Sequence, residues 1–84
     1  MSSVQTLSLG ALAPGETAII ESIALPPDRQ LYFLELGFVA GEQVRYIRPS
    51  PWGDPLVVEI LGIQLAIRLS DAQAIHVRRL ESRS

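Results

Sequence analysis

The sequence predicts a mainly-β fold: five short strands closed into a small barrel, with one short α-helix between the first and second strands. Three observations point there. The apolar stretches are short and rich in β-branched residues, and glycine or proline punctuates most gaps between them. Only one stretch of any length has the composition and end signals of a helix. Five strands left as an open sheet would expose unpaired edges, which closure into a barrel removes. With 84 residues, 48% of them hydrophobic, the chain has material for one core and one domain over residues 1–84. Disorder would need far less apolar content and more net charge.

The elements follow in order. Residues 7–12 (LSLGAL) are too few for a stable helix, though Ser8 can cap a single turn. Residues 13–16 (APGE) read as a turn, with proline pre-setting φ and glycine free to take positive φ. Residues 17–23 (TAIIESI) carry β-branched weight and form the first strand. Pro26 and Pro27 stop it, Asp28 is placed to cap, and a two-turn helix runs over residues 29–36. Gly37 stands where a left-handed residue ends a helix, with Phe38 as the apolar contact of a Schellman motif. The second strand covers residues 43–48, with Val44 and Tyr46 on one face. Three prolines make residues 49–55 (PSPWGDP) a loop, because proline cannot donate to a ladder. The third strand, 56–61, points Leu56, Val58 and Ile60 inward. Gly62 and Ile63 make a tight hairpin into the fourth strand, 64–69. Ser70 opens one helical turn, and 75–78 is the fifth strand. The packed region spans about residues 7–78, and 80–84 form a disordered tail.

Charge narrows the function. All seven basic residues are arginines: Arg29, Arg45, Arg48, Arg68, Arg78, Arg79 and Arg83. The net charge of -2 and the lack of a basic stripe argue against a nucleic-acid partner. With no apolar run of roughly 18 residues and no basic start, the sequence predicts neither membrane insertion nor a signal peptide. A cytoplasmic location follows by default. The absence of cysteine excludes disulfides and thiolate chemistry. No paired acid and base, nucleophile elbow or phosphate-binding glycine fingerprint appears, so the chain is expected not to be an enzyme. His76 is the sole histidine, and no three-ligand spacing accompanies it, so no metal site and no cofactor are predicted from the residues.

Three segments together resemble a known family. Residues 34–41 (LELGFVAG), 51–56 (PWGDPL) and Gly62 followed by 65–68 (LAIR) resemble the ferrous-iron transport protein A family, FeoA. They fall in matching order and spacing across about residues 7–78. The resemblance implies a cytosolic SH3-like barrel that assists bacterial ferrous-iron uptake. Its implied partner is a large membrane permease, FeoB-like, with a cytosolic GTP-binding domain. Transition-metal binding is associated with such domains, though no ligand set is identified here. The sequence departs from the pattern at Ala40 for a common proline, at Trp52 for leucine or methionine, and at Tyr32 for a basic residue. A partner contact at position 32 must then differ in kind.

The candidate partner-binding residues are Trp52, Tyr32, Leu31, Leu34, Val57 and Leu61. Trp52, in a proline-rich loop, offers a large rigid contact surface; the alternative is that it folds back to plug the barrel. The helix carries more apolar side chains than one core-facing stripe requires. By the family pattern, Phe33 and Leu36 cover the barrel, leaving Leu31, Tyr32 and Leu34 outside. Val57 and Leu61 lie on the outer face of the third strand. Isolated exposed apolar residues need no explanation, whereas a contiguous patch marks a contact surface. The leading reading is an uptake accessory that binds the permease. A metal-sensing barrel resembling the C-terminal domain of metal-dependent repressors is the alternative, and a homo-oligomer is a third.

Overall fold

The computed structural model describes residues 6–80. Six strands, not five, form one antiparallel sheet in the order β1-β6-β2-β3-β4-β5. They are β1 (Thr6–Ser8), β2 (Thr17–Ile23), β3 (Gln43–Pro49), β4 (Leu56–Ile60), β5 (Ile63–Ile67) and β6 (Ile75–Arg79). Helix α1 (Pro27–Glu35) joins β2 to β3, and a single turn, α2 (Leu69–Ala72), joins β5 to β6. The additional strand, β1, precedes a 3-10 turn at Leu9–Ala11 and pairs with β6 through Thr6–Arg78, Leu7–Val77 and Ser8–His76.

Alternation drives the core. Val44 and Tyr46 of β3, Leu56, Val58 and Ile60 of β4, and Ile75 and Val77 of β6 all face one side and are buried. One cluster of these residues, with Phe33, Phe38 and Leu9, touches every strand, so the sheet curls around it. The hydrogen-bonded ladder does not close: β1 and β5 are its two edges among the described residues. The 3-10 turn after β1 and the helical turn after β5 meet instead. Leu69 of α2 lies against Gly10, where a Cβ would stand 3.1 Å from its Cδ1.

Several boundaries differ from expectation. Pro27 occupies the first helical position of α1, where its missing N–H costs nothing. Pro26 is therefore the cap residue, and Asp28 sits in the first turn beside the positive end of the helix dipole. The Schellman motif forms as expected. Gly37 N–H donates to the Leu34 carbonyl (3.0 Å) and Phe38 N–H to the Phe33 carbonyl (3.0 Å). The rings of Phe33 and Phe38 meet edge-on at 5.3 Å, which seats the helix end in the core. The β4–β5 hairpin turns one residue earlier than expected, at Leu61 and Gly62, with φ of 52° and 78°. Positive φ at both is what a tight two-residue turn requires.

Ser70 does not cap α2. That role falls to Asp54, whose Oδ1 accepts from the Leu69 N–H at 2.9 Å across the sheet. Leu80 is tied as well, its N–H donating to the Thr17 carbonyl at 3.2 Å. The rest of the expected tail, residues 81–84, lies outside the described residues.

Candidate functional site

The candidate side chains fall in two regions separated by the length of β4. The first is the loop between β3 and β4. Three hydrogen bonds hold it: Ser50 N–H donates to the Pro55 carbonyl, Gly53 N–H to the Ser50 carbonyl, and Leu69 N–H to the Asp54 carboxylate. Trp52 stands on this loop 87% exposed. Its ring is outside the core, so it does not plug the barrel.

The second region joins α1 to the β4–β5 hairpin. Phe33 is buried and Leu36 packs partly against the core, while Leu31, Tyr32 and Leu34 are exposed along the helix. Tyr32 is held edge-on against Phe33 at 5.1 Å, and the Arg29 guanidinium lies 4.9 Å from its ring centre. Leu61 is 60% exposed, yet its Cδ1 occupies the space beside Gly37, where a Cβ would approach to 2.5 Å. That contact places the hairpin tip against the C-terminus of α1. A leucine held at φ 52° costs roughly 1–2 kcal/mol of backbone strain. Leu61 therefore belongs to the turn and not to the outer face of the strand. Ile63, the next residue after the turn, is also 60% exposed.

Val57 lies between the two regions, half-buried, opposite Arg48 on β3 and Ala66 on β5. Trp52 and Leu61 sit beyond opposite ends of five-residue β4, so about 17 Å of strand separates them. The six candidates thus do not make one patch.

Two residues of interest escaped the sequence reading. Arg29, Arg45, Arg78 and Arg79 each pair with a carboxylate: Asp71, Glu59, Glu21 and Glu16. Arg48 and Arg68 are exposed and have no carboxylate partner among the described residues. Nothing in the linear sequence separates them from the paired arginines; the tertiary arrangement of strands and helices does.

No group of three or more His, Cys, Asp or Glu able to hold a metal ion occurs among the described residues. His76, half-buried on β6, lies between Ser8 of β1 and Ser22 of β2, neither of them a strong metal ligand. No helix among the described residues is long and apolar enough to cross a membrane.

Comparison with known proteins agrees with this architecture. The FeoA domain model matches residues 7–79. The solution structure of a FeoA protein from Chlorobium tepidum superposes with a TM-score of 0.86 at 31% identity, covering 93% of this chain and 74% of that one. A zinc complex of FeoA from Stenotrophomonas maltophilia has a TM-score of 0.73 at 32% identity, covering 84% and 88%. That protein is described as a prokaryotic SH3 domain and a candidate activating factor for ferrous-iron transport. A manganese-dependent transcriptional repressor shares the fold, with a TM-score of 0.81 at 22% identity over 95% of this chain and 45% of its own. No curated protein matches the sequence. The family match runs from within β1 to the end of β6 and includes both helices, the fold is SH3-like, and the chain belongs to the FeoA family, which is linked to ferrous-iron transport.

Proposed function

We propose that this chain is an accessory protein of bacterial ferrous-iron uptake, working in the cytosol by binding the membrane permease through its GTP-binding domain. The observation that carries the reading is Trp52. A loop pinned by three hydrogen bonds presents a large aromatic side chain almost wholly to water. Aromatic anchors on rigid supports lose little entropy on binding and dominate interface energies. The exposed side chains Leu31, Tyr32, Leu34 and Leu61 supply a second apolar region, with Val57 between the two.

Such a protein acts without catalytic groups. It favours the permease conformation to which it binds more tightly, and its leverage equals that difference in affinity. The zinc bound to the Stenotrophomonas maltophilia protein finds no group of three or more His, Cys, Asp or Glu among the described residues of this chain. The metal-sensing alternative needs such a cluster, and the likeness to the repressor bears on the fold alone. The test is ferrous-iron uptake in a strain lacking this chain. Uptake falls and is restored by the wild type but only weakly by Trp52→Ala. Undiminished uptake in the deletion strain overturns the reading.

A further inference from the structure

Among the described residues strand β5 is an edge of the sheet, and an edge leaves backbone groups unpaired. Its ladder to β4 closes through Ile60–Ile63, Val58–Leu65 and Leu56–Ile67. In a two-residue hairpin the pair that closes the turn is hydrogen-bonded, and such pairs then alternate. Ile63, Leu65 and Ile67 therefore direct their N–H and C=O groups at β4. Gln64 and Ala66 direct theirs away, and neither group has a partner among the described residues.

Natural sheets usually protect such an edge with charge, proline or a bulge. Residues 63–67 (IQLAI) have none of these, and their ladder to β4 runs without a register shift. Alongside runs an open groove of about 180 Å3, walled by Tyr32 and Phe33 of α1 and by Leu65, Ala66 and Ile67 of β5. Its charged lining is unequal. Arg29 is paired with Asp71 at 2.6 Å, whereas Arg68 lines the groove with no carboxylate partner among the described residues. The groove is net positive on a chain that is net negative.

We propose that the β5 edge is a strand-addition site for an extended peptide segment of another protein that carries a carboxylate opposite Arg68. The segment adds a seventh strand, and its backbone satisfies Gln64 and Ala66. Alternate side chains then fall toward the groove, which has room for one of moderate size. The carboxylate forms a charge-assisted contact with Arg68, fixing the register. A second copy of the chain fits less well. Two-fold pairing about Leu65 would set Arg68 against the Leu61–Gly62 turn of the other copy, which offers no carboxylate. The proposal holds whichever protein supplies the segment, so it stands apart from the permease reading.

The test is selection from a random heptapeptide phage library on the full-length chain, followed by isotope-edited NMR with the selected peptides. The expected result is enrichment of peptides with an Asp or Glu, amide shifts centred on Gln64 and Ala66, and binding abolished by Ala66→Pro. That variant removes an outward N–H at an edge position that tolerates proline, and thermal melting checks its fold. Arg68→Glu, an exposed change, weakens binding by about tenfold or more, the scale of one charge-assisted bond. No enrichment, or peptides that bind Ala66→Pro as well as wild type, overturns the proposal. Concentration-dependent shifts at β5 without peptide also overturn it, in favour of self-pairing.

Discussion

Strands β4 and β5 are the two halves of one hairpin, five residues each and similarly apolar, yet they live in different surroundings. In β4, Leu56, Val58 and Ile60 are almost fully buried. In β5 only Ile67 is, while Ile63 is 60% exposed. The difference comes from position in the sheet. β4 has neighbours on both sides, and its inward side chains share one core cluster with Phe33, Phe38 and Val44; among the described residues β5 has a neighbour on one side only. Apolar composition makes a strand, but neighbours decide whether its side chains are core or surface. An apolar strand left at the edge is surface with binding capacity.

The sharpest way to break this comparison is a matched pair of truncations across the hairpin turn. Ile60→Ala should cost about 2–5 kcal/mol in chemical denaturation, as a core isoleucine does. Ile63→Ala should cost less than about 1 kcal/mol, although it is the residue directly paired with Ile60. Equal losses would mean that β5 is core after all.

Next in size is Gly37→Ala. The new Cβ meets the Leu61 side chain at 2.5 Å and the alanine must hold φ near 105°, so the loss should exceed the roughly 1–2 kcal/mol of the backbone alone. In a Leu61→Gly background the loss should shrink, because only the backbone cost remains, and a double-mutant cycle measures that coupling. Purely additive losses would contradict the packing of the hairpin tip on the helix end.

Asp54→Ala tests what pins the Trp52 loop. It removes the acceptor for the Leu69 N–H and should cost about 1 kcal/mol, the usual worth of a cap. Asp54→Asn keeps an acceptor and should retain most of the stability.

Glu16 sets the smallest effect. The Ala13 N–H and the Arg79 guanidinium both bond its carboxylate and hold its pKa below the ordinary value. A carboxylate depressed in the folded state stabilises above its unfolded pKa, about 4.3, and that stability is lost as pH falls through the folded value. Glu16→Gln should therefore lower the melting temperature slightly at pH 7. The difference from wild type should vanish in strong acid. A constant difference across that range would show that the ion pair contributes little.

These contrasts mark how far the sequence was legible. Gly37 and Phe38 announced the end of α1, because few arrangements besides a Schellman motif use a glycine followed by an aromatic residue there. The alternation in residues 56–60 announced a buried strand. The start of α1 is ambiguous in the sequence because Asp28 looks like a cap, while Pro27 fits the first helical turn just as well. β1 carries no signal of its own, since three residues, two of them polar, form a strand only when β6 lies beside them. Ser70 is the cap that the local sequence of α2 offers, but Asp54 reaches it from fifteen residues away. The candidate site was legible as a set of apolar residues and not as a surface. Its division into two regions, and the edge position of β5 among the described residues, depend on the order of strands.

The measurement that bears most directly on the account is an NMR titration of isotope-labelled protein with the permease's cytosolic GTP-binding domain, with and without nucleotide. Docking through the candidate residues should give shifts concentrated on the Trp52 indole, the outer face of α1 and the β4–β5 hairpin, and their loss in Trp52→Ala, whose stability should stay within about 0.5 kcal/mol of wild type. An unchanged spectrum at high partner concentration, in either nucleotide state, would contradict it.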